Sequence, residues 1–304
     1  MRAVVVTALG GPEVLRVEER PDPVPAAGEV LVRVRAACVN PADVGARVGQ
    51  IPGGPVPPPF LLGWDIAGEV VGVGDGVTDL SVGESVVGMI PWFSTRGAVA
   101  GYVELVAAAA EWLVPLPAGL DPVVAATIPL NALTARQALD MMALSGPSTV
   151  LVTGASGGVG GFAARLAAHA GHRVLAQASH DDEEWVGGLG VATVLPRAAG
   201  LAAAGPVPAV FDAVPLGGPA AEAVADGGVL VTTRPTPPVD PARGVRQEIV
   251  LVHLDRAALR ELVRAVADGT LRTRVAAAVP LAEAAGAHRR LEAGGLRGKL
   301  VLVP

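Results

Sequence analysis

The stretch "TVLVTGASGGVGGFAA", Thr149 to Ala164, decides the fold. Its opening residues form a short apolar, β-branched run, the pattern of a strand buried on both faces. The strand ends at Thr153, the turn runs from Gly154 to Gly160, and a helix follows at once. Gly157 lets backbone approach a pyrophosphate closely, and Gly160 lets the helix pack tightly on the strand. The helix N-terminus adds N–H groups and a positive partial charge. Ala155 holds the first position of the usual glycine triplet, so the pattern is AxGxxG. Glycines alone would fit any flexible turn. A strand before, an amphipathic helix after and the further strand "HRVLAQAS" give the context of a dinucleotide-binding unit. In that helix Val159, Phe162 and Leu166 share one face, with Arg165 and His169 pointing away. Ser156, Gly157, Gly158 and Val159 are the candidate phosphate-binding residues.

Outward from this unit, the chain from about residue 118 alternates strands and helices: "ATVLP", "PAVFDAV", "GGVLVTT" and "EIVLVHL" follow. Continuously apolar strands between helices predict a doubly wound parallel sheet covered on both faces. Residues 1–117 read differently, as short Val-rich strands broken by Gly, Pro and Asp, which predicts a partly closed β-barrel. "IPGGPVPPPF" reads as an ordered surface loop. The closing "VAAAVPL" and "GKLVLVP" resemble the first segment, so the chain is expected to return to it. The expected division is 1–117 with 264–304, and 118–263.

The kind of dinucleotide is a question of charge. An NAD site places a carboxylate at the tip of the second strand to hold the ribose 2′-hydroxyl. Here that tip reads Ala178-Ser179-His180. Ser179 and His180 can donate to a 2′-phosphate, and Arg197 after the third strand adds fixed positive charge. Asp181, Asp182, Glu183 and Glu184 oppose this, although acids suit a first helical turn. NADPH is the expected cofactor.

The chain has 304 residues with a formal charge of −6, 39 Gly, 27 Pro and one cysteine, Cys38. An acidic chain without a Lys/Arg run is not a nucleic-acid binder; Lys299 is its only lysine. One cysteine excludes an intramolecular disulfide and an all-cysteine metal site. The N-terminus turns charged too soon for a signal peptide. The longest uncharged run, Met141 to Ala164, contains Pro147 and six glycines, so it reads as strand-turn-helix rather than a membrane span. A cytoplasmic protein is expected.

"GEVLVRVRAACVNPAD", "PFLLGWDIAGEVVGVGDGV", "VGESVVGM", "GAVAGYVEL", "AATIPLNALTARQAL", "VLVTGASGGVGGFAA" and "GKLVLVP" occur in that order. Together they resemble the zinc-free quinone oxidoreductase branch of the medium-chain dehydrogenase/reductase superfamily, over essentially the whole chain. The resemblance implies a GroES-like barrel domain, an inserted Rossmann domain, and a homodimer joined through the edges of the Rossmann sheets. It puts the first cysteine ligand of the catalytic zinc at Asn40, the metal histidine at Trp64, the neighbouring glutamate at Asp65 and the proton-relaying hydroxyl at Ala42. No metal site is expected. It also sets the nicotinamide near Asn40 and Thr134, the two candidate catalytic residues, and gives Ala213, Val214 and Thr233 backbone contacts to the cofactor. From the residues themselves, Asn40 reads equally as a turn cap before Pro41, and Thr134 as a helix N-cap or first-turn residue. Tyrosines that line the quinone site in some members fall near Gly45 and Ile51, so the substrate does not carry over. Tyr102 reads as structural, and Met89 to Phe93 as an apolar wall or as core.

Hydride delivery from NADPH to a quinone or a similar activated carbonyl needs no Lewis acid, because the acceptor takes up the developing charge. The alternatives are an enone or enoyl reductase of secondary metabolism and a catalytically silent NADPH-binding homologue.

Overall fold

A computed structural model describes residues 1–304. Contacts gather the chain into two compact units. One comprises Met1–Leu130, Leu254–Ala267 and Arg274–Pro304, the other Asn131–His253 and Asp268–Thr273.

The first unit opens with β1 (Arg2–Val6), β2 (Leu15–Glu19), β3 (Glu29–Val39), β4 (Phe60–Leu61), β5 (Asp65–Val73), β6 (Ser85–Met89), β7 (Leu105–Ala109) and β8 (Leu113–Pro115). Between them lie α1 (Pro41–Arg47) and α2 (Trp92–Thr95), and after them α3 (Pro122–Ala125). Strand β3 is the spine. Its residues alternate buried and outward along most of its length, and it pairs antiparallel with both β5 and β7. A small antiparallel sheet of β2, β1 and β4 completes this part. The proline-rich "IPGGPVPPPF" forms a loop that ends in β4, and the Arg96 guanidinium donates to the Gly54 and Pro55 carbonyls.

The second unit contains α4 (Pro129–Met142) from Asn131 onward, then β9 (Thr149–Val152), α5 (Gly158–His169), β10 (Arg173–Ala178), α6 (Glu183–Gly187), β11 (Thr193–Pro196), β12 (Val207–Asp212), α7 (Gly218–Ala223), β13 (Val224–Thr232) and β14 (Arg246–Ile249). The strand order is β11-β10-β9-β12-β13-β14, and every pair is parallel. This is the doubly wound arrangement, with its switch point between β9 and β12. The buried face of α5 is made of Gly160, Gly161, Phe162, Ala163, Ala164 and Ala167. Val159 and Leu166 are only half-buried, so Phe162 and the small residues carry the contact of α5. The expected last strand is shorter than "EIVLVHL": β14 ends at Ile249. The backbone at His253 is then held by the Gln137 side chain, which donates to its carbonyl and accepts from its N–H.

The chain returns through α8 (Arg256–Ala267), β15 (Val275–Pro280), α9 (Ala284–Ala293) and β16 (Lys299–Val303). Strand β16 pairs antiparallel with β3, extending the barrel sheet to seven strands: six in the order β15-β16-β3-β5-β6-β8, and β7 beside β3 off that path. By contacts, residues 118–130 and 254–263 go with the barrel, where the sequence division puts them in the second segment. At α8 the cause is visible: Arg256 donates to the Leu113 carbonyl at 2.8 Å and to Asp79 at 2.5 Å.

Candidate active site

In the second unit the candidate cofactor residues gather at the carboxyl ends of the strands. Gly157 caps α5, and no side chain caps that helix, so its first-turn N–H groups are presented by backbone alone. A Cβ at Gly160 would run into the carbonyl oxygens of Gly154 and Thr153, both backbone and unable to yield. Only glycine therefore lets α5 start this close to β9. Buried Asp212, at the end of β12, accepts from the Thr153 hydroxyl at 2.7 Å and from the Leu216 and Gly217 N–H groups. The same hydroxyl accepts from the Val214 N–H at 3.2 Å. Burial pushes the Asp212 carboxyl up, and those hydrogen bonds pull it back. This brace fixes the β9 turn against the segment holding Ala213 and Val214. Thr233 reaches the Ala213 carbonyl at 3.4 Å, so these two candidates stand side by side.

At the second strand the acids make contact with the residues expected to bind phosphate. The Ser179 hydroxyl donates to the Asp182 carboxylate at 2.9 Å, and His180, exposed, lies 3.3 Å from Glu183. Strand register pairs Ala178 with Pro196, which puts Ser179 and Arg197 at adjacent strand ends. Arg197 is exposed there.

Thr134 is buried in the second turn of α4, which begins at Pro129, so it is neither an N-cap nor a first-turn residue.

In the first unit, Asn40 is fully buried and caps α1 through a reciprocal capping box with Asp43. Its side chain also joins a polar cluster. The Lys299 ammonium donates to Asn40 Oδ1 at 2.7 Å, and Asn40 Nδ2 donates to Asp65 Oδ2 at 2.7 Å. Asp65 Oδ1 accepts from the Leu130 N–H at 2.7 Å. Asp43 accepts from the N–H groups of Asn40 and Gly63 and from the Tyr102 hydroxyl. Gly63 sits at φ +110°, and a Cβ there would lie 2.7 Å from the Tyr102 ring, so the turn that reaches Asp43 requires glycine. Tyr102 faces His288 at 3.5 Å, His288 faces Arg47 at 3.4 Å, and Arg47 pairs with Glu292 at 2.5 Å. A buried polar spine thus links Asp43 to the surface.

Burial dominates the electrostatics. It lifts Asp43 and Asp65 to about 7, against backbone hydrogen bonds and the Lys299 charge, and it lifts the Cys38 thiol to about 12. Burial, helped by the Arg47 charge, lowers His288 to about 3, so this imidazole is neutral.

Trp64 is buried and stacks on Trp92 at 4.8 Å, with Phe60 and Phe93 edge-on to the pair. An indole offers a metal no lone pair, and no group of three or more His, Cys, Asp and Glu is arranged to hold a metal ion. Of the apolar stretch Met89 to Phe93, Met89, Ile90 and Trp92 are core, and Phe93 is partly exposed. Lys299, Asp43 and the Thr153–Asp212 brace are the parts that local sequence reading missed. The signal for Lys299 was its uniqueness in an arginine-rich chain. No helix is long and apolar enough to cross a membrane.

The alcohol dehydrogenase GroES-like domain model matches residues 26–118, and the zinc-binding dehydrogenase model matches 190–302. The chain is 30% identical over 315 residues to an NADPH-dependent alkenal/one oxidoreductase of Arabidopsis thaliana, covering 100% of this chain and 80% of that one. It is 36% identical over 189 residues to a quinone oxidoreductase of Lama guanicoe, covering 61% of this chain and 55% of that one. This match therefore spans about half the length of that relative. A quinone oxidoreductase structure from Coxiella burnetii superposes with a TM-score of 0.89 at 29% identity, covering 100% of this chain and 99% of that one. A mycobacterial protein solved with NADPH superposes with a TM-score of 0.84 at 30% identity over 100% of both chains. The chain belongs to the quinone oxidoreductase branch of the medium-chain dehydrogenase/reductase superfamily.

Proposed function

We propose that this chain is an NADPH-dependent reductase that delivers hydride, without a metal, to a quinone or similar activated carbonyl acceptor. The observation that carries the reading is the Gly154–Gly160 turn running into the N-terminus of α5, whose close approach to β9 a Cβ at Gly160 would prevent. In this reading Ser156, Gly157, Gly158 and Val159 hold the pyrophosphate. Ser179, His180 and Arg197 hold the 2′-phosphate, and Ala213, Val214 and Thr233 line the far side. When bound, the reduced nicotinamide supplies the hydride. Asn40 and Thr134 orient the reacting groups, and the acceptor takes up the developing charge, so the protein's contribution is alignment and exclusion of water. Metal-independence is supported by the indole of Trp64, stacked in the core where zinc relatives place a ligand.

NADPH as the preferred cofactor is supported by the NADPH-dependent relative and the NADPH-bound neighbour. Arg197 beside Ser179 favours it, and Asp182 works against it. A homodimer is supported by the second unit's sheet: β14 is its last strand, with Ile249 and Leu251 exposed at or just beyond it.

The test is NADPH oxidation by the full chain across simple quinones, alkyl enones and aldehydes, with and without a chelator. The proposal expects quinone turnover that the chelator leaves unchanged. Turnover confined to enones favours the alkenal/one type of activity that the Arabidopsis relative's name describes. Thermal stabilisation by NADPH without turnover of any acceptor overturns the enzyme reading and leaves a cofactor-binding homologue.

A further inference from the structure

We propose that Lys299 is a positioning residue which, together with Asp65, clamps the Asn40 side-chain amide in a single orientation for acceptor reduction. The inference rests on the reading of Asn40 as catalytic.

Three independent observations meet at this residue. Of the 23 lysine and arginine residues in the chain, Lys299 is the only lysine. Wherever a surface cation suffices this protein uses arginine, and the exception is buried. The fold delivers it there by register. Leu300 pairs with Val39 and Val301 with Cys38, so the antiparallel ladder sets Lys299 opposite Asn40. The hydrogen bonds then run in one direction, from the Lys299 ammonium to Asn40 Oδ1 and from Asn40 Nδ2 to Asp65 Oδ2, both at 2.7 Å.

The chemistry of that series fixes the amide. An ammonium can only donate, and an ionised carboxylate can only accept. A flipped Asn40 would set its NH₂ against the ammonium and its carbonyl against the carboxylate, two repulsive contacts in a buried place. The compact ammonium suits this position, which also brings it within hydrogen-bonding reach of the Cys38 thiol. A guanidinium carries five N–H donors in a planar fork and would need further acceptors.

The clamp holds while Asp65 is ionised. The groups facing that carboxylate are the Leu130 N–H, Asn40 and Lys299, all of which favour ionisation; Asp43, Cys38 and Tyr102 lie in the same cluster. A protonated Asp65 can itself donate, so the orientation is then enforced only at the Lys299 end. Loss of the Lys299 charge moves that protonation to higher pH.

Two experiments test the proposal, one of them independent of activity. Full-length protein labelled with ¹⁵Nζ-lysine gives one ammonium resonance, assigned without further work. The expected result is a slowly exchanging signal that shifts or broadens away in Asn40→Ala. A signal that exchanges at the solvent rate and is unchanged by Asn40→Ala overturns the clamp. In steady-state NADPH oxidation with 1,4-benzoquinone, Lys299→Met lowers kcat tenfold or more with KM within about twofold. It also moves the acid limb of the kcat profile to higher pH, and Lys299→Arg does not rescue it. A folded Lys299→Met with wild-type kcat and an unmoved limb overturns the proposal. Should Lys299→Met fail to fold, Lys299→Arg and the wild-type spectra decide. Should the wild type reduce no acceptor, the functional reading fails, and the lysine resonance alone decides whether the clamp exists.

Discussion

In the parallel sheet the polar groups at the strand ends come from neighbouring residues, Gly154 through Gly160, and from backbone more than side chain. In the barrel they come from Asn40, Asp65 and Lys299, side chains separated by up to 259 positions. The first kind of site is a local conformation and tolerates any neighbour that leaves the turn intact. The second is a long-range agreement among strands, and it exists only when the register of β16 on β3 is correct. Disruption should therefore look different in the two units: loss of binding with the barrel intact in one, altered electrostatics with the backbone intact in the other.

The sharpest break in the comparison is Gly160→Val. The added carbons meet the Gly154 and Thr153 carbonyls, so the start of α5 must move. NADPH-induced thermal stabilisation is expected to vanish, while near-UV circular dichroism from the barrel tryptophans is retained. A variant that still binds NADPH would show that the turn has more room than its geometry implies.

A smaller effect belongs to the barrel and to pH. His288 is held near 3 by burial and Arg47, below its ordinary 6.5, so the unfolded chain binds the extra proton first as pH falls. This contribution to stability is present above about 6.5 and is lost as pH falls toward 3. Asp43 and Asp65 act in the opposite sense. Raised to about 7 from 3.8, they favour the folded state at low pH, and that contribution is lost as pH rises through 7. His288→Gln removes the first effect and keeps the second. Relative to wild type, it should gain about 2 kcal/mol between pH 7 and pH 5, read from urea midpoints by tryptophan fluorescence. No relative change would mean that His288 is solvated.

The smallest expected effect sharpens the cofactor assignment. Arg197→Ala removes one exposed cation from the end of β11 and should raise KM for NADPH about tenfold, with KM for NADH nearly unchanged. Equal effects on both cofactors would place Arg197 outside the 2′-phosphate site.

The contrast between the units also explains what could be read from the chain. The sheet was legible because strand, glycine turn and helix are successive words, and Gly160 carries its reason in its own backbone environment. The return of "GKLVLVP" to the barrel was legible from composition. Asn40 was singled out by position, but its hydrogen-bond partners were not, since nothing near it in sequence announces Asp65 or Lys299. Thr134 was misplaced within its helix because α4 starts at Pro129, ahead of any capping signal at Asn131. Trp92 was ambiguous between wall and core, and its stacking on Trp64 puts it in the core.

The β16–β3 pairing also bears on how the protein is made. A ribosome synthesises Asn40 and Asp65 early and Lys299 only after the entire parallel sheet has been translated. The sheet can therefore fold first, while the Ala37–Val39 end of β3 waits without its β16 neighbour and two buried-to-be carboxylates lack their cation. A chain stalled or cut before residue 299 would hold a finished parallel-sheet unit and an open, acid-lined strand end. Strand β16, arriving late, completes this sheet and assembles the Asn40 cluster in one event, so the burial of both carboxylates and the arrival of their cation coincide.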